Sequence, residues 1–201
     1  MPDYYYTQNP ASAHNERSIA ARALGLTLTF ETDAGVFSKN ELDPGSKLLI
    51  ESMGALSGRV LDLGCGWGPV GTFLALANPQ AQLVMSDVNA RALDLARRNL
   101  KNNGAAAEVV ESDGFESIEG TFDHVVTNPP IRAGKALIYA LFDTAHERLR
   151  DGGALTIVIR KQQGAPSALK HLQETFGNAE VIAKGGGYWI IRSVKGKEEE
   201  A

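Results

Sequence analysis

Near the end of the chain, two apolar runs stand almost back to back. "AEVIAKG" (179–185) and "YWIIRSV" (188–194) are separated by little more than Gly186-Gly187. A parallel crossover needs a dozen or more residues, so these two runs must pair as an antiparallel hairpin. Upstream lie five more short runs rich in Val, Ile and Leu: "RVLDLG" (59–64), "QLVMSD" (82–87), "AEVVESD" (107–113), "FDHVVTN" (122–128) and "ALTIVIR" (154–160). Near-continuous apolar runs bounded by turn residues mark strands buried on both faces, as in parallel sheets.

Helical patterns fill most of the gaps. "DPGSKLLIESM" (43–53) begins with Asp43 as an N-cap and Pro44 at the first helical position. "PVGTFLALAN" (69–78) follows the first strand of the series. "NARALDLARRNLKNNG" (89–104) has the clearest amphipathic period, with Ala92, Leu93, Leu95, Ala96 and Leu100 on one face and Gly104 as the stop. "KALIYALFDTAHERLRDGG" (135–153) and "APSALKHLQETFG" (165–177) complete the set, each closed by glycine. Strand–helix alternation ending in a hairpin predicts an α/β domain: a doubly wound, seven-stranded, mostly parallel sheet whose last strand is antiparallel. In such sheets ligands bind at the C-terminal strand ends, near the switch in strand order.

The first 58 residues follow another pattern. "LTLTFETDAGVFS" (26–38) alternates and turns at Asp33–Gly35, which predicts a β-hairpin capping the core. The expected organisation is an N-terminal extension over 1–42, one domain over 43–195 and a frayed charged tail over 196–201. At 201 residues and 43% hydrophobic content, one domain with a sizeable core is the natural size. The longest apolar runs are strand-sized, too short to span a membrane as a helix. "MPDYYYTQNP" does not match a signal peptide, and a single cysteine, Cys65, forms no internal disulfide; a cytoplasmic setting is expected. A net charge of −4 argues against a large electrostatic footprint for nucleic acid but leaves room for a local basic patch. None of the four histidines has ligand spacing to another, so no metal site is expected.

The chemistry sits at the strand ends. "LDLGCGWGP" has glycines at 64, 66 and 68 behind Asp62. A dinucleotide fingerprint needs a third glycine or alanine where Pro69 stands. Asp62 would repel a pyrophosphate, but it suits a cationic amino-acid moiety such as the amino group and sulfonium of S-adenosylmethionine. The next strand ends in Asp87-Val88, where a carboxylate accepts hydrogen bonds from ribose hydroxyls. The third ends in Ser112-Asp113, placed for an adenine amino group. The fourth ends in Asn128-Pro129-Pro130. Proline lacks a backbone donor and restricts the residue before it, so strand and helix are both broken here. The turn presents the Asn128 side-chain oxygen and the Pro129 carbonyl as two acceptors, which suits a planar –NH₂ group.

Together these motifs resemble the class I S-adenosylmethionine-dependent methyltransferases, whose Rossmann-like sheet also ends in an antiparallel hairpin. "TDAGVFSKNELDPGSKLLIE", "VLDLGCGWGPVG" and "VVTNPPIRAGK" are similar to the small-domain methyltransferase group, which includes bacterial 16S ribosomal RNA guanine-N2 methyltransferases. The resemblance covers roughly residues 4–195. It implies that S-adenosylmethionine is held by Asp62, Gly64, Cys65, Gly66, Asp87, Val88, Ser112, Asp113 and Asn128. It implies catalysis at Asn128, Pro129 and Pro130, and an RNA substrate, the small ribosomal subunit above all. Related amino methyltransferases often carry an aromatic residue after the two prolines; here it is Ile131, so Phe37 or Tyr188 would have to supply a ring. Arg132 and Lys135 are placed for phosphate contacts beside an extruded base, with Arg160 and Lys161 extending the patch. The same acceptor pair serves guanine N2, adenine N6 or a glutamine amide. A nicotinamide-dependent dehydrogenase and a non-catalytic RNA-binding module are the readings from other classes.

Overall fold

The computed structural model describes residues 13–197. The opening residues and the end of the expected tail lie outside that range. The elements run β1 (Arg17–Ala23), β2 (Leu26–Thr32), α1 (Pro44–Ser52), β3 (Arg59–Leu63), α2 (Pro69–Ala77), β4 (Gln82–Asp87), α3 (Ala90–Asn102) and β5 (Glu108–Glu111). They continue with β6 (Phe122–Thr127), α4 (Lys135–Arg148), β7 (Leu149–Arg160), α5 (Ala165–Phe176), β8 (Glu180–Gly185) and β9 (Tyr188–Val194). Short 3₁₀ turns cover Ile131–Ala133 and Lys161–Gln163.

Seven strands form one sheet in the order β5-β4-β3-β6-β7-β9-β8. Pairs up to β6–β7 are parallel, and β9 is antiparallel to both β7 and β8. The chain reverses its winding between β3 and β6, which are neighbours. Adjacent residues of one strand feed opposite faces, as a period of two demands. Val60, Val126, Val158 and Ile190 join a core with α1, α2 and α3, while Leu61, Val125, Ile157 and Ile191 join the core under α4 and α5.

Asp43 caps α1 as its position predicts: its Oδ2 accepts from the Ser46 N–H at 2.8 Å, with Pro44 at the first helical position. Two sequence expectations need correction. The N-terminal hairpin spans 17–32, not 26–38, and turns at Leu24-Gly25, both with positive φ (51° and 75°). Two successive left-handed residues match the twist of a two-residue hairpin, so the turn forms there. Asp33–Gly35 instead starts an irregular strap over 33–42. Second, α4 ends at Arg148 rather than at Gly153; β7 begins at Leu149 and carries the glycines within it. Leu149 pairs with Phe122 of β6, and sheet pairing takes over from the helical run there.

The hairpin is docked through asparagine side chains of α3 and its cap. Asn99, fully buried, accepts from the Glu31 N–H (2.7 Å) and donates to the carbonyls of Glu31 (2.9 Å) and Trp67 (2.8 Å). Asn103 bonds Thr29 in the same two-way manner. The amides thereby stand in for a neighbouring strand along an otherwise open edge. Phe30 completes the joint, edge-on to Trp67 at 5.1 Å between centroids.

Candidate active site

A cavity of about 640 Å³ opens at the C-terminal ends of β3, β4, β5 and β6. Asp62, Asp87, Asp113 and Asn128, from the four successive strand ends, all line it. So do Gly64, Cys65, Gly66, Val88, Ser112, Pro129, Pro130, Phe37, Ile131 and Arg132. Lys135 does not; its ammonium lies 5.1 Å above the Tyr139 ring on α4.

The loop after β3 takes its shape from glycine. Gly64, Gly66 and Gly68 all have positive φ (73°, 57° and 88°), where a side chain is strained. A Cβ on Gly68 would also strike Met85 Cε at 2.8 Å. The N–H groups of Gly64 and Cys65 both bond the Ser86 carbonyl at 2.8 Å, and that of Gly66 bonds Asp87 Oδ2 at 2.8 Å. Gly71 allows α2 to approach Asp62, whose Oδ2 accepts its N–H at 2.8 Å. That is Asp62's one hydrogen bond among the described residues. Burial pushes the Asp62 carboxyl up to about 7; the Gly71 N–H opposes the rise and the Asp87 charge adds to it. Asp87 is also raised by burial, against bonds from the N–H groups of Asn89, Gly66 and Val88. Burial and the two carboxylates push the Cys65 thiol up, so it is a packing residue here rather than a nucleophile.

At β5, Ser112 spends its hydroxyl on the loop itself, donating to the Gly114 carbonyl and accepting from the Ser117 N–H, both at 3.0 Å. Asp113 is exposed at the cavity rim.

Asn128 is held from behind. Its Nδ2 donates to Asp43 Oδ2 at 3.1 Å and meets Ser46 Oγ at 2.9 Å. A carboxylate only accepts, so the amide nitrogen must face Asp43. The Oδ1 of Asn128 has no protein partner among the described residues. Asp43 Oδ1 accepts from the Tyr188 hydroxyl at 3.1 Å, and the Arg160 guanidinium lies 4.7 Å from the Tyr188 ring centre. Tyr188 is 7% exposed and belongs to this network, whereas Phe37 is 39% exposed at the mouth. Locally Asp43 is a helix cap and Ser46 an ordinary first-turn residue; the Asn128 that both contact lies 85 and 82 residues further along the chain.

The strap closes the other side. Its carbonyls at Ala34, Gly35 and Phe37 accept from Arg91 (2.8 Å), Asn89 (3.0 Å) and Trp67 Nε1 (2.8 Å). All three donors belong to the loops, or helix start, that follow β3 and β4. Away from the cavity, His14, Glu16 and Asp33 place ligand-type atoms within 4.8 Å of one another. These charges are already matched: Asp33 faces His14 at 2.5 Å and Arg91 at 3.8 Å, and Glu16 faces Arg98 at 2.9 Å.

The model of the methyltransferase small domain family matches residues 27–192. The chain is 42% identical to the Bacillus subtilis (strain 168) protein YbxB over 200 residues, covering 97% of this chain and all of that protein. It is 45% identical over 166 residues to ribosomal RNA small subunit methyltransferase C of Aeromonas hydrophila, covering 79% of this chain and 47% of that protein. Among solved structures, the Thermus thermophilus 16S rRNA N2 G1207 methyltransferase in complex with S-adenosylmethionine and guanosine superposes with a TM-score of 0.80 at 30% identity. That match covers 92% of this chain and 52% of the other. The chain thus spans about half the length of the ribosomal RNA methyltransferases it matches.

Proposed function

The chain belongs to the methyltransferase small domain family, and on that premise we propose that it methylates guanine N2 of small-subunit ribosomal RNA from S-adenosylmethionine. The observation that supports this most is the cavity itself. A buried carboxylate with a single hydrogen bond among the described residues, Asp62, stands at one wall, and Asn128, an amide held by its nitrogen, stands at another. The donor set suits the cofactor: Asp62, with its carboxyl raised toward neutrality, gains most from a cationic partner. On this reading Asp62, Gly64, Cys65 and Gly66 hold the methionine moiety, Asp87 and Val88 the ribose, and Ser112 and Asp113 the adenine edge. The bound cofactor supplies an electrophilic methyl group on a sulfonium.

Asn128 and the Pro129 carbonyl then accept the two N–H bonds of the substrate amine, with Pro130 stiffening the turn. Two acceptors that fix the orientation of the nitrogen toward a bound methyl donor would lower the orientational cost of the reaction. The same two oxygens stabilise positive charge as it develops on nitrogen. Once methylated, the nitrogen would carry a surplus proton, which the Asn128 and Pro129 oxygens would hold until solvent takes it. No strong base is needed at the start.

Phe37 at the mouth is the exposed ring nearest to a base-stacking role, and Ile131 packs beside the turn. Arg132 and Arg160 on the rim, with Lys135 and Lys161 outside it, serve the phosphates flanking an extruded base. Within the expected extension, the strap over 33–42 closes the cofactor side, and 43–195 act as the methyltransferase domain. The setting is the cytoplasm; among the described residues no helix is long and apolar enough to cross a membrane.

The test is transfer of labelled methyl from S-adenosylmethionine to small ribosomal subunits and total RNA from a strain lacking the protein, read by nucleoside mass spectrometry. N2-methylguanosine in small-subunit RNA is the expected product. Label in N6-methyladenosine or in protein glutamine would replace the acceptor while retaining the methyltransferase.

A further inference from the structure

We propose that Asp43 is a positioning residue that sets which atom Asn128 turns toward the substrate amine, an inference that rests on the amine-acceptor reading above. An asparagine amide is nearly symmetric in shape, and a flip by half a turn would offer –NH₂ to the cavity where an acceptor is needed. Ser46 Oγ cannot prevent this, because a hydroxyl both donates and accepts. Asp43 can: its Oδ2, 3.1 Å from Asn128 Nδ2, accepts only.

Asp43 is itself fixed at both oxygens. The Ser46 N–H holds Oδ2 at 2.8 Å, the Tyr188 hydroxyl holds Oδ1 at 3.1 Å, and the residue is 9% exposed. The ring of Tyr188 is clamped in turn. Arg160 lies over it, and Gly45 leaves it room, since a Cβ there would come within 2.5 Å of Tyr188 Cε1. The chain of contacts Arg160–Tyr188–Asp43–Asn128 therefore runs from the end of β7, through the start of β9 and the cap of α1, to the end of β6. The negative charge behind the amide also polarises it, making Oδ1 a better acceptor as charge builds on the substrate nitrogen.

Three residues make comparable helix caps, which separates this role from capping. Asp43→Ser keeps a cap but is too short to reach both Asn128 and Tyr188. Asp43→Asn keeps a cap and one oxygen that can face Ser46 and Asn128. With labelled S-adenosylmethionine and small ribosomal subunits as the probe, kcat should fall on the order of 30-fold for Asp43→Ser and about fivefold for Asp43→Asn. The dissociation constant for S-adenosylmethionine, by calorimetry, should stay within about threefold. In an Asn128→Ala background, Asp43→Ser should cost almost nothing further. Equal kcat for Asp, Asn and Ser at position 43 would overturn the proposal, as would a full additional loss in the Asn128→Ala background. Wild-type turnover by Asn128→Ala alone would overturn the amine-acceptor reading and this inference with it. A slow Asn128→Ala beside a fast Asp43→Ser overturns only this inference. Should Asp43→Ser fail to fold, Tyr188→Phe removes just the hydroxyl that holds Asp43 and should lower kcat roughly threefold.

Discussion

Asp33 in the N-terminal strap and Asp62 at the end of β3 are equally buried, each 2% exposed. Their chemistry is opposite. Burial disfavours the charge on both, but at Asp33 the N–H groups of Asn15 and Ala34 and the His14 ring outweigh it, and the carboxyl titrates below its ordinary range. Arg91 stands 3.8 Å away as a further cation. Asp62 has one N–H, from Gly71, and a neighbouring carboxylate, and titrates near 7. A carboxylate whose partners come from its own chain fastens the fold. One buried with a single donor is poised for a cation brought from outside.

The largest break in that comparison should come from Asp62→Asn. The variant keeps an acceptor for the Gly71 N–H but loses the charge, so affinity for S-adenosylmethionine should drop roughly 100-fold by calorimetry. The ligand-free protein should melt no lower than wild type, because an unpaired buried charge has gone. A lower melting temperature with unchanged affinity would move Asp62 into the class of Asp33.

Next comes Asp33→Asn, which leaves His14 and Arg91 facing a neutral amide. It should destabilise the fold by about 2 kcal/mol in chemical denaturation while changing cofactor affinity by less than about fivefold. A purely binding defect would show that the strap acts as part of the site.

The pH dependence sharpens the pair with the smallest expected effect. Asp62 has a folded value above its unfolded one, so its contribution to ligand-free stability is fully present below about 4 and is lost as pH rises through about 7. Asp33 is shifted the other way: its contribution is present above the unfolded value and is lost as pH falls through the folded one. Between pH 5 and 8 the Asp62 contribution should therefore decline with rising pH in wild type, and that slope should vanish in Asp62→Asn but persist in Asp33→Asn. Cofactor affinity should weaken as pH falls below about 7, by at most about tenfold per unit, because Asp62 must lose its proton to bind a cation.

Much of the site could be read locally. Asp62, Asp87, Asp113 and Asn128 each end an apolar run, and strand ends of a doubly wound sheet share one rim, so four one-dimensional signals converged on one cavity. Gly64, Gly66 and the double proline were legible for the same reason, as backbone chemistry carried by the residue itself. The hairpin was misplaced because Leu24-Gly25 is a weaker turn signal than Asp33–Gly35, and only pairing between β1 and β2 decides between them. Asn99 and Asn103 carry no local mark, because the strand they hold lies 68 and 74 residues away.

What the sequence determined by itself was periodicity, breakpoints and the residue at each break, since helix and strand spacing, proline and glycine act within a few residues. Tertiary structure alone decided which side-chain atoms meet. Asp43 was visible as a cap because its partner, Ser46, is three residues away. Its hold on Asn128 and its grip by Tyr188 span 85 and 145 residues, and depend on α1, β6 and β9 packing to within hydrogen-bond distance. No local pattern carries that distance, because the register and packing of the whole sheet determine it.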